Sequence, residues 1–524
     1  MHPEAAQPDP ERATAQILRI AQWIFYALLL LMGASVVSAD FLPIFDLPQH
    51  YSISAILSSY FDPAMGWAED YRIRDDFIPY VFIYYFAAYL GKVIGIKWAM
   101  KVLIAYCVLG FPLAINWLLK LYQRPRWLAL LALPLAYHFS FSMGFVASCV
   151  TINTTLLCAA FTHRQLQSFS ITYFPIAALC GFVVATSHAL GVVTFIPIIA
   201  AMLIFAPSAT SRIRRALNLT VLLIPIGILG YYVFAPKKPS GGLAGWDLLK
   251  RVFSSLSSPQ KNIAAIKTRF LNQFHDGTDQ VVLLAILLIV IVYVAQCLWR
   301  RGATGQKVDW SLRIIVPGLA LLYFLIPFTA SLGQLYIWGF NIRILPLLAA
   351  FLLLLWRSNS VAKIHMPLAI AAVLVAAVYV GKTAIHTYRF DQEARQGWSL
   401  INELPRKSRL LQLIDAPLHG PVFDMNAYLT VPYYATGLLG LRLPGMFAEN
   451  PQSLVRSKFG KSLPRPNWKN HRHFRFSQHS RGYDYILTFH QGKRRHAFFR
   501  GHEKQVRKVS ESGGWKLFSL KPGG

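Results

Sequence analysis

Between Asp76 and Asp247 the chain carries no Asp and no Glu. A proton-coupled carrier ordinarily keeps carboxylates inside its spans, because an intramembrane acid is the simplest proton relay. That gap argues against transport. Charge is scarce in general: Asp, Glu, Lys and Arg make up 14% of the residues, against about 25% in a soluble domain. Cysteine is scarce too. Cys107, Cys149, Cys158, Cys180 and Cys297 all fall inside apolar runs and none forms a CxxC pair, so neither a zinc site nor a disulfide framework is indicated. No internal repeat and no low-complexity tract is present.

What the chain has instead is apolar length. Of its 524 residues 55% are hydrophobic. Stretches long enough to cross ~30 Å of hydrocarbon recur. Spans are drawn near 22–37, 127–139, 145–162, 170–186, 190–207, 216–235, 280–299, 313–331, 343–356 and 366–383; several are shorter than 18 residues as drawn, so their ends are expected to extend into neighbouring segments. Arg12 and Arg19 precede the first. Val37-Ser38-Ala39 loosely resembles a signal-peptidase site, but an uncleaved first span is expected. The net charge of +29 fits the excess of Lys and Arg on the cytoplasmic side of spans. No nucleic-acid-binding motif accompanies it, so no nucleic-acid partner is expected.

The charges also set a topology. Loop 40–76 holds seven acids against Arg72 and Arg74, which suits the outside, with the N-terminus inside. Basic clusters at Lys120/Arg124/Arg126, His163/Arg164, Arg212/Arg214/Arg215, Arg300/Arg301 and Arg357/Lys363 all fall on the cytoplasmic side when spans are counted. Residues 77–119 must then cross an odd number of times, although they hold two apolar segments. One of these is expected to lie in the interface or re-enter, and the total is about eleven spans. Loop 236–279 begins at Lys237-Lys238-Pro239. It reads as amphipathic helix, with Trp246, Leu248, Leu249, Val252 and Phe253 and later Ile263, Ile266, Phe270 and Phe274, the pattern of a helix lying on a headgroup surface.

The fold expected is therefore an all-α polytopic transmembrane bundle over 1–384, with a small basic α/β domain over 385–524. From residue 382 onward the chain has 24 Lys or Arg and nine Asp or Glu. Strands are expected at Ser408–Ile414, Tyr483–Phe489 and Trp515–Leu520, with helix near Asn426–Tyr434. Gln452–Arg481 reads as a mobile loop. The tail histidines His471, His473, His479, His490, His496 and His502 match no standard metal spacing and read as solvated basic surface, suited to anionic lipid or glycan.

The candidate chemistry sits outside the membrane. In Asp46-Leu47-Pro48-Gln49-His50, Pro48 fits the first turn of a helix. Asp46 then lies at that helix's N-terminus, where the dipole favours its charge. Asp46 and His50 are four apart and can share a face as a general base and its partner. The plainer alternative is that Asp46 only caps the helix. His138 and His188 fall at outside turns. Arg343, following Asn341, lies at an outside boundary where it can bind a phosphate or snorkel to headgroups. His275, Asp276 and Asp279 read as a helix cap and turn.

A span, an acidic outside loop, surface-lying helices and many further spans resemble the GT-C class of membrane glycosyltransferases. The Asp-Leu-Pro-Gln-His stretch is similar to the Asp-x-Pro-x-His motif of a bacterial branch with that architecture. Ser142-Met143-Gly144-Phe145, Ser187-His188-Ala189-Leu190-Gly191, Asn341-Ile342-Arg343 with Pro346, Tyr483-Asp484-Tyr485-Ile486-Leu487 and Gly514-Trp515-Lys516-Leu517 also look alike. The resemblance implies transfer of a sugar from a polyprenyl-phosphate donor to an acceptor outside the bacterial inner membrane, with Asp46 as base or acceptor-orienting group. His50 would assist it, and His138, His188, Asn341 and Arg343 would bind donor phosphate and substrate. One departure stands out. Many members carry a second acid in the next outside loop, but Tyr137–Ser142 has none, so a carboxylate-held divalent metal is not expected and no cofactor is implied. The alternatives are a non-catalytic partner in envelope polysaccharide assembly, and a transporter or flippase.

Overall fold

The computed structural model describes residues 10–75, 80–234, 258–271, 273–299, 309–332, 335–339, 341–355, 365–415, 422–450, 453–458, 463–467, 471–490 and 498–520. Among these, six helices are long and apolar enough to cross a membrane: Gln16–Ser38, Ile96–Leu121, Val146–Gln167, Arg212–Tyr231, Thr278–Leu298 and His365–Ile401. Six shorter apolar helices of 10–17 residues accompany them, at Phe82–Ile94, Arg126–Leu135, Tyr173–Ser187, Ala189–Phe205, Trp310–Leu325 and Asn341–Leu355. The polytopic helical class is thus present.

Burial sorts the helices. Thr278–Leu298 exposes Val281, Leu284, Leu287, Leu288 and Ile291, an apolar face of the kind that lipid covers. Val146–Gln167 does the opposite and buries Ser148, Thr151, Asn153, Thr154, Thr155 and Thr162. Polar side chains inside hydrocarbon face protein rather than lipid, so this helix stands at the centre of the bundle. Ser148, Thr151 and Thr155 follow the three-to-four-residue spacing of one helix face.

One end of the bundle gathers three of the basic clusters. The ring of His163 packs 4.1 Å from Tyr122. Arg124 donates to the Leu354 carbonyl. Arg215 donates to the carbonyls of Ile204 and Ala206, completing the C-terminus of helix Ala189–Phe205 as a cation there should. Arg300, Arg301, Arg357 and Lys363 lie outside the described residues.

The opposite end gathers the loops. Helix Phe82–Ile94 starts and stops there: Val81 N–H donates to Thr186, and Lys97, just past its end, pairs with Asp40. At 13 residues this helix is one of the shorter apolar ones. Its outer face, with Tyr85, Phe86, Tyr89 and Val93 exposed, is the aromatic composition of a membrane interface. The described residues of 80–119 thus hold one helix long and apolar enough to cross a membrane, Ile96–Leu121, and one shorter apolar helix, Phe82–Ile94.

Helix His365–Ile401 is continuous over 37 residues, so the expected boundary at 384/385 falls inside an unbroken helix. Its last turns carry the tail sheet: Gly397 abuts Trp515 so closely that an added Cβ would meet the indole at 2.6 Å. The strands are β1 Tyr71–Ile73, β2 Thr329–Leu332, β3 Leu335–Trp338, β4 Leu410–Asp415, β5 Val455–Ser457, β6 Tyr485–His490, β7 Val506–Ser512 and β8 Trp515–Leu520. Four of them form a sheet in the order β4-β6-β8-β7, with β4 and β6 parallel and the other pairs antiparallel. The three expected tail strands are present; β7 and the short β5 were not anticipated. Asn426–Tyr434 is two 3-10 turns leading into a short helix, Tyr434–Leu439.

The first loop is bound to this tail. β1 pairs with β5 antiparallel, Arg72 opposite Arg456. Helix Leu47–Ser58 packs on Tyr434–Leu439, where a Cβ on Gly437 would reach Ala55 at 2.9 Å. Asp391 accepts the backbone N–H of Asp40 and of Phe41, each at 2.8 Å, and pairs with Arg395. Loop 40–76 and the tail therefore share one side of the bundle. The described residues between 453 and 481 are folded against these elements, not loose: β5 lies there, and buried His471 accepts the Ile414 N–H through Nδ1 at 2.7 Å. Burial pushes His471 down to about 4, so it is neutral core rather than charged surface.

Of loop 236–279, residues 236–257, including Trp246 and Val252, and residue 272 lie outside the described residues. Pro259–Arg269 is a surface helix capped by Ser258. Asp276 accepts the Thr278 N–H and Lys382, while Asp279 accepts the N–H groups of Gln273 and Phe274; the cap and turn are formed as expected.

Candidate functional site

The site forms where the first loop meets two turns of the central helices. Phe45 N–H donates to Ser142 at 3.1 Å and Asp46 N–H to Met143 at 3.0 Å. The chain can come this close only because Gly144 adopts φ +82° and has no side chain; a Cβ there would sit 2.8 Å from Asp46 N. Thr430 Oγ1, from the tail, donates to the Phe45 carbonyl at 2.5 Å and locks the loop from the other side.

Asp46 occupies the N-cap position of helix Leu47–Ser58, with Pro48 in the first turn, but its side chain makes no capping hydrogen bond. Among the described residues its carboxylate accepts no hydrogen bond at all. It is surrounded by protein yet retains partial exposure, as a group facing a recess does. Burial raises its pKa to about 7, and the opposing charge of Arg343 only partly offsets this. The helix-cap alternative therefore fails for the side chain.

His50 is not Asp46's partner. Its Nδ1 lies 2.8 Å from the Tyr84 hydroxyl, and its other hydrogen bond is with the Gly144 backbone. With both nitrogens taken, the carboxylate–imidazole pair expected from the spacing does not form. Burial depresses its pKa to about 4, so His50 is a neutral strut holding helix Leu47–Ser58 to the Gly144 turn.

His188 and Arg343 do converge. Arg343 Nη1 lies 2.6 Å from His188 Nε2 and 2.9 Å from Ser148 Oγ. Its Nε donates to Gly339 and its Nη2 to Trp338, and the guanidinium stacks 3.9 Å over the ring of Phe145. Both residues are buried, so Arg343 is not snorkelling to headgroups. His188 Nδ1 accepts the N–H of Leu190 at 3.1 Å, and Tyr80 packs edge-on to its ring at 5.0 Å. Burial and the Arg343 charge both push His188 ionisation well below the usual imidazole range. A neutral imidazole has one acceptor nitrogen, so it cannot satisfy Leu190 and Arg343 together.

Beside this pair lies a cavity of about 10 Å³, lined among others by Ser148, Thr151, His188, Thr194 and Arg343. That is room for about one water. Gly191 lets helix Ala189–Phe205 approach Thr151, whose Cβ would stand 2.7 Å from an added Cβ.

Among the described residues His138 and Asn341 make no hydrogen bond to Asp46, His188 or Arg343. His138 is buried, with Phe111 against its ring and no partner for Nδ1. Its backbone bridges Leu271, so it joins the turn to the end of helix Pro259–Arg269. Asn341 donates to Asn262 Oδ1 at 3.1 Å and to the Tyr323 carbonyl at 3.4 Å. Tyr323 in turn donates to the Asn262 carbonyl at 2.6 Å. Asn341 thus ties three helices together two residues before Arg343 and sets the turn from which Arg343 projects.

Sequence reading missed Ser148, Tyr80, Tyr84 and Phe145 as contacts of the site. Ser148 carried a signal, since it opens the polar face of an otherwise apolar helix. Among the described residues no three His, Cys, Asp or Glu side chains gather as a metal site. No protein-family model matches the chain and no curated protein matches it. The site is therefore read from its own geometry.

Proposed function

We propose that this protein transfers a sugar from a polyprenyl-phosphate-linked donor to an envelope glycan or lipid acceptor at the outer face of the bacterial inner membrane. With Phe82–Ile94 lying in the interface, the remaining long and short apolar helices give about eleven crossings. The N-terminus is then cytoplasmic, and the first loop and tail periplasmic. One observation carries the reading: among the described residues Asp46 presents an uncapped, unpaired carboxylate, raised to about 7 by burial, within the field of Arg343. A general base serves best with its pKa near the operating pH. A buried arginine beside it suits a lipid-linked phosphate, the leaving group of such a transfer.

In the chemistry this implies, the Asp46 carboxylate takes the proton of an acceptor hydroxyl as that oxygen attacks the anomeric carbon. The bond from that carbon to the phosphate oxygen breaks, and Arg343 with His188 stabilises the departing phosphate. The test is transfer from a radiolabelled polyprenyl-phosphate sugar in proteoliposomes. Asp46→Asn keeps shape and hydrogen-bonding size but removes the base, so transfer should fall at least ~100-fold. Unchanged transfer removes Asp46 from the chemistry.

A second reading, a non-catalytic partner in envelope polysaccharide assembly, is favoured by the small cavity at His188 and Arg343. A sugar ring does not fit without opening. If no donor supports transfer by the wild-type chain while Asp46→Asn leaves envelope assembly in cells intact, that reading replaces the first.

A further inference from the structure

A much larger cavity lies outside the Asp46 centre. It has a volume of about 770 Å³ and lies between the first loop and the tail, with Asp70, Lys407, Arg409, Arg442, Arg481 and Gly482 in its wall. That is within the ~300–1,000 Å³ of small-molecule sites. Asp70 of the first loop and four stretches of the tail, at 407–409, 442, 463–464 and 481–482, build it, and the pairing of β1 with β5 holds the loop beside the tail.

The charges in its wall are unequal in freedom. Arg442 is buried and engaged: it pairs with Asp70, donates to Gly440 and Met65, and stacks 4.4 Å over Trp67. Lys407 pairs with Glu69 at 3.1 Å and holds the left-handed conformation at φ +66°. Arg409 and Arg481 differ. The backbone N–H of Arg409 binds the Asp484 carboxylate, while its guanidinium reaches only the Gly482 carbonyl, at 3.5 Å. Among the described residues the Arg481 guanidinium has no hydrogen-bond or carboxylate partner. The buried Asp70–Arg442 pair holds the wall, and two arginines are left to face the space.

We propose that this cavity is a binding site for a sugar-sized polyanion bearing phosphate or carboxylate groups, held by Arg409 and Arg481. Guanidinium groups bind such anions through paired, charge-assisted hydrogen bonds. The proposal does not depend on whether Asp46 is catalytic, because it uses no residue of that centre. The anion can be a free saccharide phosphate or uronate, or the phosphate of a lipid headgroup at the adjacent surface.

The experiment uses the full chain in nanodiscs of zwitterionic lipid, with inorganic pyrophosphate titrated by calorimetry. Saturable binding is expected. Arg481→Ala, and separately Arg409→Ala, should weaken it about 10-fold, the effect of one lost charge-assisted contact, and Arg481→Lys should weaken it less. Arg507→Ala, an exposed arginine on β7, should change nothing. Equal affinity in wild type and Arg481→Ala overturns the proposal, and so does non-saturable uptake that Arg507→Ala lowers as much. Arg481 has no partner among the described residues, so its loss leaves the fold intact even if Arg409→Ala does not. Repeating the titration with phosphatidylglycerol in the nanodisc identifies the source. Competition assigns the site to a headgroup phosphate, and unchanged affinity assigns it to a soluble anion.

Discussion

Arg343 Nη1 and His188 Nε2 stand 2.6 Å apart, while His188 Nδ1 accepts the N–H of Leu190. The ring has one acceptor for two donors, so one N–H faces another. An oxygen anion bound by both would relieve this as the two nitrogens part, since both N–H groups can donate to it.

That relationship sets the first expectation. Farnesyl phosphate, as a short carrier analogue, should raise the thermal midpoint of the wild-type protein. Arg343→Lys keeps the charge but loses the planar fork and the stacking on Phe145, and should weaken the analogue about 10-fold. Equal stabilisation of wild type and Arg343→Ala would place the phosphate elsewhere.

Asp46 should make stability pH-dependent with a definite sign. Its carboxyl moves from 3.8 to about 7 on folding, so the folded state binds the proton more tightly. The stabilising contribution is full below about 3.8 and is lost as pH rises through about 7. Chemical unfolding of wild type and Asp46→Asn from pH 4 to 8 should show the asparagine variant gaining on wild type as pH rises. The difference should reach a few kcal/mol, the scale of a shift near three pH units. Parallel pH dependence in the two proteins would refute the raised value. If transfer occurs, its rate should rise through the same pH.

Gly144→Ala should be costly. It combines φ +82° with a Cβ placed 2.8 Å from Asp46 N. Left-handed backbone alone costs about 1–2 kcal/mol in a residue with a Cβ, and the clash must push the first loop away. A lowered thermal midpoint with loss of farnesyl phosphate binding is expected. A variant as stable as wild type would mean that the Asp46 loop is not seated on this turn.

The pairing of β1 with β5 can be tested by crosslinking. Arg72 and Arg456 face each other in the register, and opposed residues in an antiparallel pair stand about 4.5–5.5 Å apart, within disulfide reach. Arg72→Cys with Arg456→Cys should crosslink under mild oxidation in membranes, while Arg74→Cys with Arg456→Cys should do so poorly. Failure of the first pair would separate the loop from the tail.

Much of this was legible because the signals were local. The acid-free stretch, the basic clusters and the apolar lengths all act through hydration at nearby positions. The Arg343–His188 meeting followed from counting turns on one side. Other features depend on partners far along the chain. The three residues of β1 carry no periodicity and are strand only because β5, some 380 residues later, lies beside them. His50 pointed to Asp46 by helical spacing, but spacing does not reveal Tyr84, whose hydroxyl claims the ring. Asn341 read as a ligand because it precedes Arg343; its amide is instead used by Asn262 and Tyr323. The sequence left open which apolar segment of 77–119 lies in the interface, because helix length alone separates Phe82–Ile94 from Ile96–Leu121.

Helix His365–Ile401 passes from the apolar bundle into the tail without a break. At about 1.5 Å per residue its 37 residues make a shaft of roughly 55 Å. Its upper turns grip Trp515 of the sheet and, through Asp391, the beginning of the first loop. A hinge is missing where a linker would have supplied one. A load applied to the tail, by a glycan chain or a neighbouring protein, is therefore delivered as torque to the bundle and to the loop that carries Asp46.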